Sequence, residues 1–286
     1  MASRPAKPAS GPDEACIRAR GFMIGSVWGL LLVGAVLASV AMALLWALQV
    51  RIRDASHVDV AWAILIACAA LAYALLADGD VAHRVLAAVL ASIWGFRLGF
   101  YLLFNRVLGK EEDGRYRALR EKWGENANRR FFWFFQFQAA LVVFFSLPYA
   151  FVALDSTDSL GVLEWTGAVI WAIGNLGVIT SDWQLSRWRA DPANKGKTAR
   201  NGLWSWSRHP NYFFEFVTWL GVALVATASP WGWVSWLVPA VLLYLLLRVT
   251  GIPATEAQAL RSRSDYAEYQ RTTSAFVPLP PKRAQS

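Results

Sequence analysis

Long apolar stretches alternate along the chain with short polar and basic segments. Apart from Arg97, no charged residue falls within the stretches 22–48, 60–77, 85–104, 131–154, 165–181 and 216–247. About 20 apolar residues suffice for an α-helix that crosses a bilayer. The last stretch has 32 residues, roughly 48 Å as one helix, so we predict two helices separated at residues 229–232, Ser-Pro-Trp-Gly. The pattern predicts an all-α membrane protein with seven transmembrane helices, numbered here as predicted spans one to seven.

The composition agrees with this class of protein. Hydrophobic residues make up 56% of the 286 residues and charged residues 17%, against about 25% charged in a soluble domain. Residues 1–20 are polar and contain three prolines, so we predict that they are disordered. We interpret 21–280 as a single seven-helix membrane domain with cytoplasmic cofactor-binding loops, and 281–286 as a tail. The sequence contains no His/Cys cluster with the spacing of a metal site, so we expect no metal.

The basic residues are distributed unevenly between the two ends of the predicted spans. Of the 28 Lys and Arg residues, 22 lie on the side that carries the C-terminus. The positive-inside rule places that side in the cytoplasm and the N-terminus outside. The net charge of +8 is explained by this asymmetry, and we expect no nucleic-acid partner. We expect an integral protein of a bacterial inner membrane, in contact with membrane lipids.

Several polar residues interrupt the predicted spans, where a charge costs a few kcal/mol or more. Asp59 opens span two. Residues three, four or seven positions apart share a helix face, and this spacing gives three polar stripes: Arg97, Tyr101 and Asn105; Asn175, Asp182, Ser186 and Arg189; Asn211, Glu215 and Thr218. We expect the stripes to converge on a cavity that opens to the cytoplasm. Alternatively, Asp59 and Arg97 form a structural ion pair, and Glu215 is a first-turn acid favoured by the helix dipole.

The start of span six, "NGLWSWSRHPNYFFEFVTWLG" at 201–221, combines a polar turn with an apolar helix. Ser207 is a candidate N-cap, and Pro210 suits a first helical turn. The free N–H groups of a helix N-terminus bind anions. The preceding loop contributes further positive charge, from Arg187, Arg189, Lys195, Lys197 and Arg200. We predict phosphate binding here, although neither a G-x-G-x-x-G motif nor a P-loop is present.

Two more segments complete the cytoplasmic side. "GKEEDGRYRALREKWG" at 109–124 has the pattern of an amphipathic interfacial helix. We expect the aromatic-rich tail "DYAEYQRTTSAFVPLPP" to lie against the cytoplasmic face.

The segment "DPANKGKTARNGLWSWSRHPNYFFEFVTWLG", with "VDVAW", "GKEEDGRYRALREKWG" and "LLRVTGIPATE", resembles the steroid 5-alpha-reductase-like membrane family. The resemblance covers about residues 55 to 280 and is strongest to the bacterial branch catalogued as a domain of unknown function. The core "RHPNY" is shared with isoprenylcysteine carboxyl methyltransferases and sterol reductases, so it indicates a superfamily and not one reaction.

The resemblance implies a seven-helix fold that binds NADPH from the cytoplasmic side, and Arg97 near the substrate. The resemblance implies cofactor contacts at Asn105, Asp182, Arg189, Asn211 and Glu215. To these we add Lys197 of the basic loop and Arg208, His209 and Tyr212 of the polar turn as candidate cofactor-binding residues. The reductases also use a Glu and a Tyr to polarise the substrate carbonyl. Here Asp59 stands near the position of that Glu, Trp94 replaces that Tyr, and Tyr101 lies two turns away. A cofactor-contacting His near span seven is missing, and Glu256 is the only acid there.

These features predict an NADPH-dependent reductase, acting in lipid metabolism on an activated C=C bond of a lipid or steroid-like substrate. Asp59, Arg97 and Tyr101 are the candidate catalytic residues, with Asp59 as the acid at the substrate carbonyl. One alternative is a methyltransferase that uses S-adenosylmethionine, although five basic residues in the 187–200 loop favour a phosphate-rich cofactor. The other is a lipid-binding or structural membrane protein. The sequence gives no oligomeric state.

Overall fold

The computed structural model of the protein describes residues 26–282, and this part of the chain is helical and contains no β-strand. Six helical segments within it are long and apolar enough to cross a membrane, which indicates an integral membrane protein. They are Val27–Ile52, His57–Leu76, Val81–Val107, Gly114–Ala153, Val162–Ala190 and Gly232–Ser262. The described part of the chain divides into two compact units, which lie within Met1–Ser159 and Leu160–Ser286.

The described residues of the first unit form four long helices and one short one. They are α1 (Val27–Ile52), α2 (His57–Leu76), α3 (Val81–Leu102), the short α4 (Gly114–Trp123) and α5 (Ala127–Ala153). A π-helical turn, Leu103–Val107, extends α3. Helix α2 packs against α3 and α5, and α1 packs against α5. A buried hydrogen bond of 2.9 Å joins the hydroxyls of Tyr73 on α2 and Ser146 on α5.

The second unit is organised by the packing of α6 on α7. Its helices are α6 (Val162–Ala190), α7 (Pro210–Thr227), α8 (Leu237–Tyr244), α9 (Ile252–Ser262) and α10 (Tyr266–Thr272). A Cβ atom on Gly174 of α6 would lie 2.4 Å from the backbone nitrogen of Thr218, and one on Gly221 of α7 would lie 2.4 Å from that of Trp171. The two backbones approach this closely because both positions lack a side chain, as in small-residue contacts between membrane helices.

The structure confirms a helix over each predicted span, with shifted ends. The predicted break is also confirmed, because α7 ends at Thr227, Trp231 has a left-handed φ of 63°, and a 3₁₀ turn precedes α8. Helix α7 is absent from the six apolar segments, since Asn211 and Glu215 lower its mean hydropathy. A seventh crossing and the orientation of the termini therefore stay predictions. The predicted disordered stretch 1–20 and the start of span one lie outside the described residues.

The amphipathic segment forms α4 as predicted, but the proposed cap of span six is wrong. Helix α7 begins with Pro210, as expected, and His209 occupies the N-cap position. The hydroxyl of Ser207 instead accepts a 3.1 Å hydrogen bond from the N–H of His209 and donates a 2.8 Å bond to the carbonyl of Phe276. The C-terminal segment therefore takes up the hydroxyl that was expected to cap the helix.

Candidate functional site

Polar side chains meet where the C-terminal half of α6 faces the start of α7. The amide Nδ2 of Asn211 donates a hydrogen bond of 3.3 Å to Oδ1 of Asp182, and the N–H of Tyr212 donates one of 3.0 Å to Oδ1 of Asn211. Asp182 is buried, with 8% of its surface exposed. The stripes on these two helices therefore meet, as expected, while their opening to the cytoplasm stays a prediction.

Glu215 lies one turn further along α7 and is held by an aromatic side chain. The indole Nε1 of Trp219, which is fully buried, donates a 3.1 Å hydrogen bond to Oε1 of Glu215. Helix α7 begins at Pro210, so Glu215 is its sixth residue. The helix dipole stabilises acids mainly within the first turn, and Glu215 lies beyond that turn. The alternative that Glu215 is a first-turn acid is therefore wrong.

A basic cavity of about 260 Å³ lies at the C-terminal end of α6. It is lined by residues of α6, of the loop that follows and of the chain after α9: Leu185, Trp188, Arg189, Ala190, Asp191, Pro192, Asn194, Lys195, Gly196, Lys197, Ala199 and Arg263. Four of these residues are basic and one is acidic. Arg189 and Lys197 were predicted as cofactor contacts, whereas Arg263 was missed because it lies 66 positions after Lys197 in the sequence (263 − 197).

The donors of this cavity suit an anionic group. Within residues 26–282, no ion pair involves Lys195, Lys197 or Arg263. The indole Nε1 of Trp188 is buried and has no hydrogen-bond partner in the described part of the chain. Phosphate oxygens are strong acceptors for such donors, and hydrogen bonds between charged groups are stronger than neutral ones. The residues present therefore fit a phosphate-bearing ligand.

The Arg-His-Pro-Asn turn before α7 is held by Glu256 of α9. The guanidinium Nε of Arg208 lies 2.7 Å from Oε1 of Glu256, and the imidazole Nε2 of His209 lies 3.2 Å from the same oxygen. The ring of His209 stacks on that of Tyr212, with the ring centroids 5.3 Å apart. Arg208, His209 and Tyr212, all predicted to contact the cofactor, thus lie side by side. The sequence singled out Glu256 only as an isolated acid.

The C-terminal segment docks on the loop that leads to α7. Thr198 donates two hydrogen bonds to the Asp265 carboxylate, 2.7 Å from its hydroxyl and 3.0 Å from its N–H, and the guanidinium of Arg200 lies 3.9 Å from that carboxylate. Burial raises the pKa of Asp265, but the hydrogen bonds from Thr198 and the charge of Arg200 lower it by more, so the pKa lies below its ordinary value. The hydroxyl of Tyr269 donates to the carbonyl of Trp204. The C-terminal segment therefore helps to hold the loop before α7 in place.

In the first unit, Asp59 is enclosed by donors from α4. Its Oδ1 accepts a 2.6 Å hydrogen bond from the hydroxyl of Tyr116, and its Oδ2 lies 2.7 Å from the guanidinium Nη2 of Arg115. The alternative of an ion pair with Arg97 is wrong, because Arg115 takes that place. Tyr116 is buried, with 3% of its surface exposed. The sequence singled out neither residue, since nothing local distinguishes them from the other polar residues of α4.

The remaining candidates of the first unit lie along α3 and its extension. Arg97 and Tyr101 are half-buried on α3, and Asn105 lies in the π-helical turn. The amide Nδ2 of Asn105 donates a 2.8 Å hydrogen bond to the carbonyl of Tyr101. π-helical turns occur frequently at functional sites. The catalytic and cofactor-binding roles of these three residues stay predictions.

The helices define the class of protein, an all-α integral membrane protein. Residues 45–273 match the family described as "Protein of unknown function (DUF1295)", and the chain belongs to this family. This result agrees with the resemblance to the steroid 5-alpha-reductase-like branch catalogued as a domain of unknown function. No curated protein and no solved structure matches the chain.

Proposed function

We propose that this protein is a membrane-embedded reductase that uses NADPH to reduce an activated C=C bond in a lipid substrate. The observation that carries the proposal is the basic cavity at the end of α6, with its four basic residues and one acid. NADPH carries a pyrophosphate and a 2′-phosphate, whereas S-adenosylmethionine carries no phosphate. The cavity therefore favours the dinucleotide over the methyl donor.

Two groups of residues would hold the cofactor. Arg189, Lys195, Lys197 and Arg263 would bind its phosphates through charge-assisted hydrogen bonds. The linked Asp182 and Asn211 would orient its other end. Asp182 lies seven residues before Arg189 on the same helix, which corresponds to about 10 Å at 1.5 Å per residue. A row of polar groups of that length suits an elongated dinucleotide.

A second buried acceptor lies on the same face of α6. Asn175, seven residues before Asp182, donates from Nδ2 to the carbonyl of Trp171 at 3.1 Å. Its Oδ1 is buried without a partner in the described part of the chain. A carboxamide N–H₂, such as that of nicotinamide, is a donor of the kind this oxygen lacks.

The reduction adds one hydride and one proton across the C=C bond. When bound, NADPH supplies the hydride to the β-carbon of an enone-like substrate. Negative charge then develops on the substrate oxygen, where a hydrogen-bond donor lowers the barrier. The hydroxyl of Tyr116 donates to Oδ1 of Asp59, and Nη2 of Arg115 faces Oδ2, so the carboxylate is held in one orientation. We assign to Asp59 the delivery of a proton, taken up from solvent, to the reduced substrate, and to Tyr116 and Arg115 the orientation of its carboxylate.

Calorimetric titration of the detergent-purified protein with NADPH, NADH and S-adenosylmethionine tests the proposal. We expect NADPH to bind, and NADH to bind at least tenfold more weakly, a difference of about 1.4 kcal/mol, because it lacks the 2′-phosphate. Binding of S-adenosylmethionine alone would indicate a methyltransferase that uses the same residues to bind its cofactor. Binding of none of the three would leave a lipid-binding or structural protein as the better hypothesis.

A further inference from the structure

Glu256 connects the turn before α7 to the C-terminal segment through both of its carboxylate oxygens. Its Oε1 lies 2.7 Å from Nε of Arg208 and 3.2 Å from Nε2 of His209, and its Oε2 accepts a 2.7 Å hydrogen bond from Nε2 of Gln270. The side chains of Arg208, His209 and Glu256 are 11%, 4% and 13% exposed. Water therefore competes weakly for these contacts, and the three side chains restrict one another.

The contact with Glu256 determines which nitrogen of His209 carries a proton. A carboxylate oxygen that already accepts from Arg208 has no proton to give, so Nε2 of His209 must be the donor. In the neutral ring, Nδ1 is then the acceptor. Without this carboxylate, both neutral tautomers of the imidazole become accessible.

The same carboxylate fixes the guanidinium of Arg208. Its Nη1 donates to the carbonyls of Gln270, at 2.9 Å, and Thr273, at 2.6 Å, while its Nε is held by Glu256. Among residues 26–282, Nη2 of Arg208 makes no hydrogen bond. One edge of the guanidinium is thus anchored, and Nη2 remains for an acceptor outside the chain.

We infer that Glu256 is a positioning residue for cofactor binding. It holds His209 as the Nε2–H tautomer and aims Nη2 of Arg208 at an anionic group of the ligand. The inference rests on the proposed function for the identity of that ligand, NADPH. The tautomer of His209 does not depend on it.

The first experiment measures the tautomer without any ligand. The chain has three histidines, so ¹⁵N-histidine labelling gives three imidazole spectra, and the spectrum lost in His209→Gln is assigned to His209. We expect a protonated Nε2 and a bare Nδ1 in the native protein. A bare Nε2 would overturn the inference. Because this measurement uses the native chain, it decides the point even if variants of Glu256 fail to fold.

The second experiment compares Glu256→Gln with Glu268→Gln by NADPH titration. Glu268 is also an acid of the C-terminal segment, paired with Arg200 at 3.2 Å, but it does not contact Arg208 or His209. We expect Glu256→Gln to weaken NADPH binding about tenfold and to mix the two tautomers of His209. Glu268→Gln should change neither.

The outcomes separate this inference from the proposed function. If the native protein binds NADPH and Glu256→Gln binds it equally well, the inference fails and the proposed function stands. If the native protein does not bind NADPH, the proposed function and the ligand-binding part of the inference fail, while the tautomer of His209 is still decided by the first experiment. If Glu268→Gln weakens binding as much as Glu256→Gln, the effect belongs to docking of the tail, and the positioning role is overturned.

Discussion

Two basic regions of similar sequence character differ in what their charges contact. In the α4 region, Arg115 pairs with Asp59 at 2.7 Å and Arg120 pairs with Glu112 at 2.7 Å. In the cavity at the end of α6, four basic residues face one acid, and in the described chain Lys195 and Lys197 form no ion pair. The first region has its counter-charges within the protein. In the second, among the described residues, the charges of Lys195 and Lys197 are left for a ligand or solvent ions to neutralise.

This difference supports the cavity at the end of α6 as the proposed anion site. Arg120 is mostly buried and also donates to Oε1 of Gln49 on α1 at 3.1 Å, so its charge stabilises the fold of the first unit. Removing one partner of such a buried pair leaves an uncompensated charge and destabilises the protein. Lys195 and Lys197, which have no ion-pair partner in the described chain, lack this structural role, and binding of an anionic ligand is the simpler explanation of their charge.

The largest expected effect comes from removing charge in the cavity. Replacing Arg189 and Lys197 together by alanine should weaken NADPH binding about 1,000-fold, since each charge-assisted hydrogen bond contributes about 1.5–3 kcal/mol. The affinity is measured by calorimetry. Arg117→Ala is the matched control, because Arg117 pairs with the exposed Glu111 in the α4 region, and it should leave the affinity unchanged. Native-like NADPH affinity in the double variant would show that the cavity does not bind the cofactor and would contradict the proposed difference between the two regions.

The next effect concerns the α4 region and turnover. Asp59→Asn removes the carboxyl group that delivers the proton, and we expect turnover to fall about 100-fold, the scale of general acid catalysis, with NADPH affinity unchanged. NADPH consumption is followed with a steroid enone and a long-chain 2-alkenal. Glu112→Gln breaks the neighbouring ion pair and should lower stability without a comparable loss of turnover. Full activity of Asp59→Asn with either substrate would remove Asp59 from the chemistry.

A smaller effect is expected where α6 crosses α7. Gly174→Ala places a Cβ 2.4 Å from the backbone nitrogen of Thr218, so the helices must separate. Overpacking of this kind costs about 1–3 kcal/mol, measured as a lower midpoint of thermal unfolding. Gly114→Ala is the control, since no atom lies within 4 Å of its added Cβ. An unchanged midpoint for Gly174→Ala would show that the contact between α6 and α7 adapts without cost.

The smallest effect is the pH dependence of tail docking at Asp265. Its folded pKa is lowered, so the stabilisation is present above the unfolded value of about 3.9 and is lost as the pH falls through the folded pKa. Below about pH 4, proteolysis of the tail by pepsin should accelerate by no more than about threefold, since exposed pairs contribute little. Asp265→Asn should abolish this acceleration. An equal acceleration in that variant would assign the pH effect to other groups.

Much of the helical architecture was predictable from local pattern. Runs of apolar residues determine where helices form, and Pro230 and Gly232 mark the break between α7 and α8. Spacing along one helix also placed Asp182 and Arg189 on a common face of α6. The N-cap of α7 was not predictable, because Ser207 satisfies a carbonyl 69 residues away.

The sequence by itself determined the apolar helices and the basic loop before α7. It also determined the candidate residues on α6 and α7, the helices that flank this loop. Only the tertiary structure decided how the basic residues divide. Arg200 pairs with Glu268 and Arg208 with Glu256, whereas Lys197 lines the cavity together with Arg263. The physical reason is that helix formation depends on residues close together in the sequence. The partners in these ion pairs are 48 positions apart for Arg208 and Glu256 and 68 positions apart for Arg200 and Glu268. Such partners are set by the packing of helices and not by local periodicity.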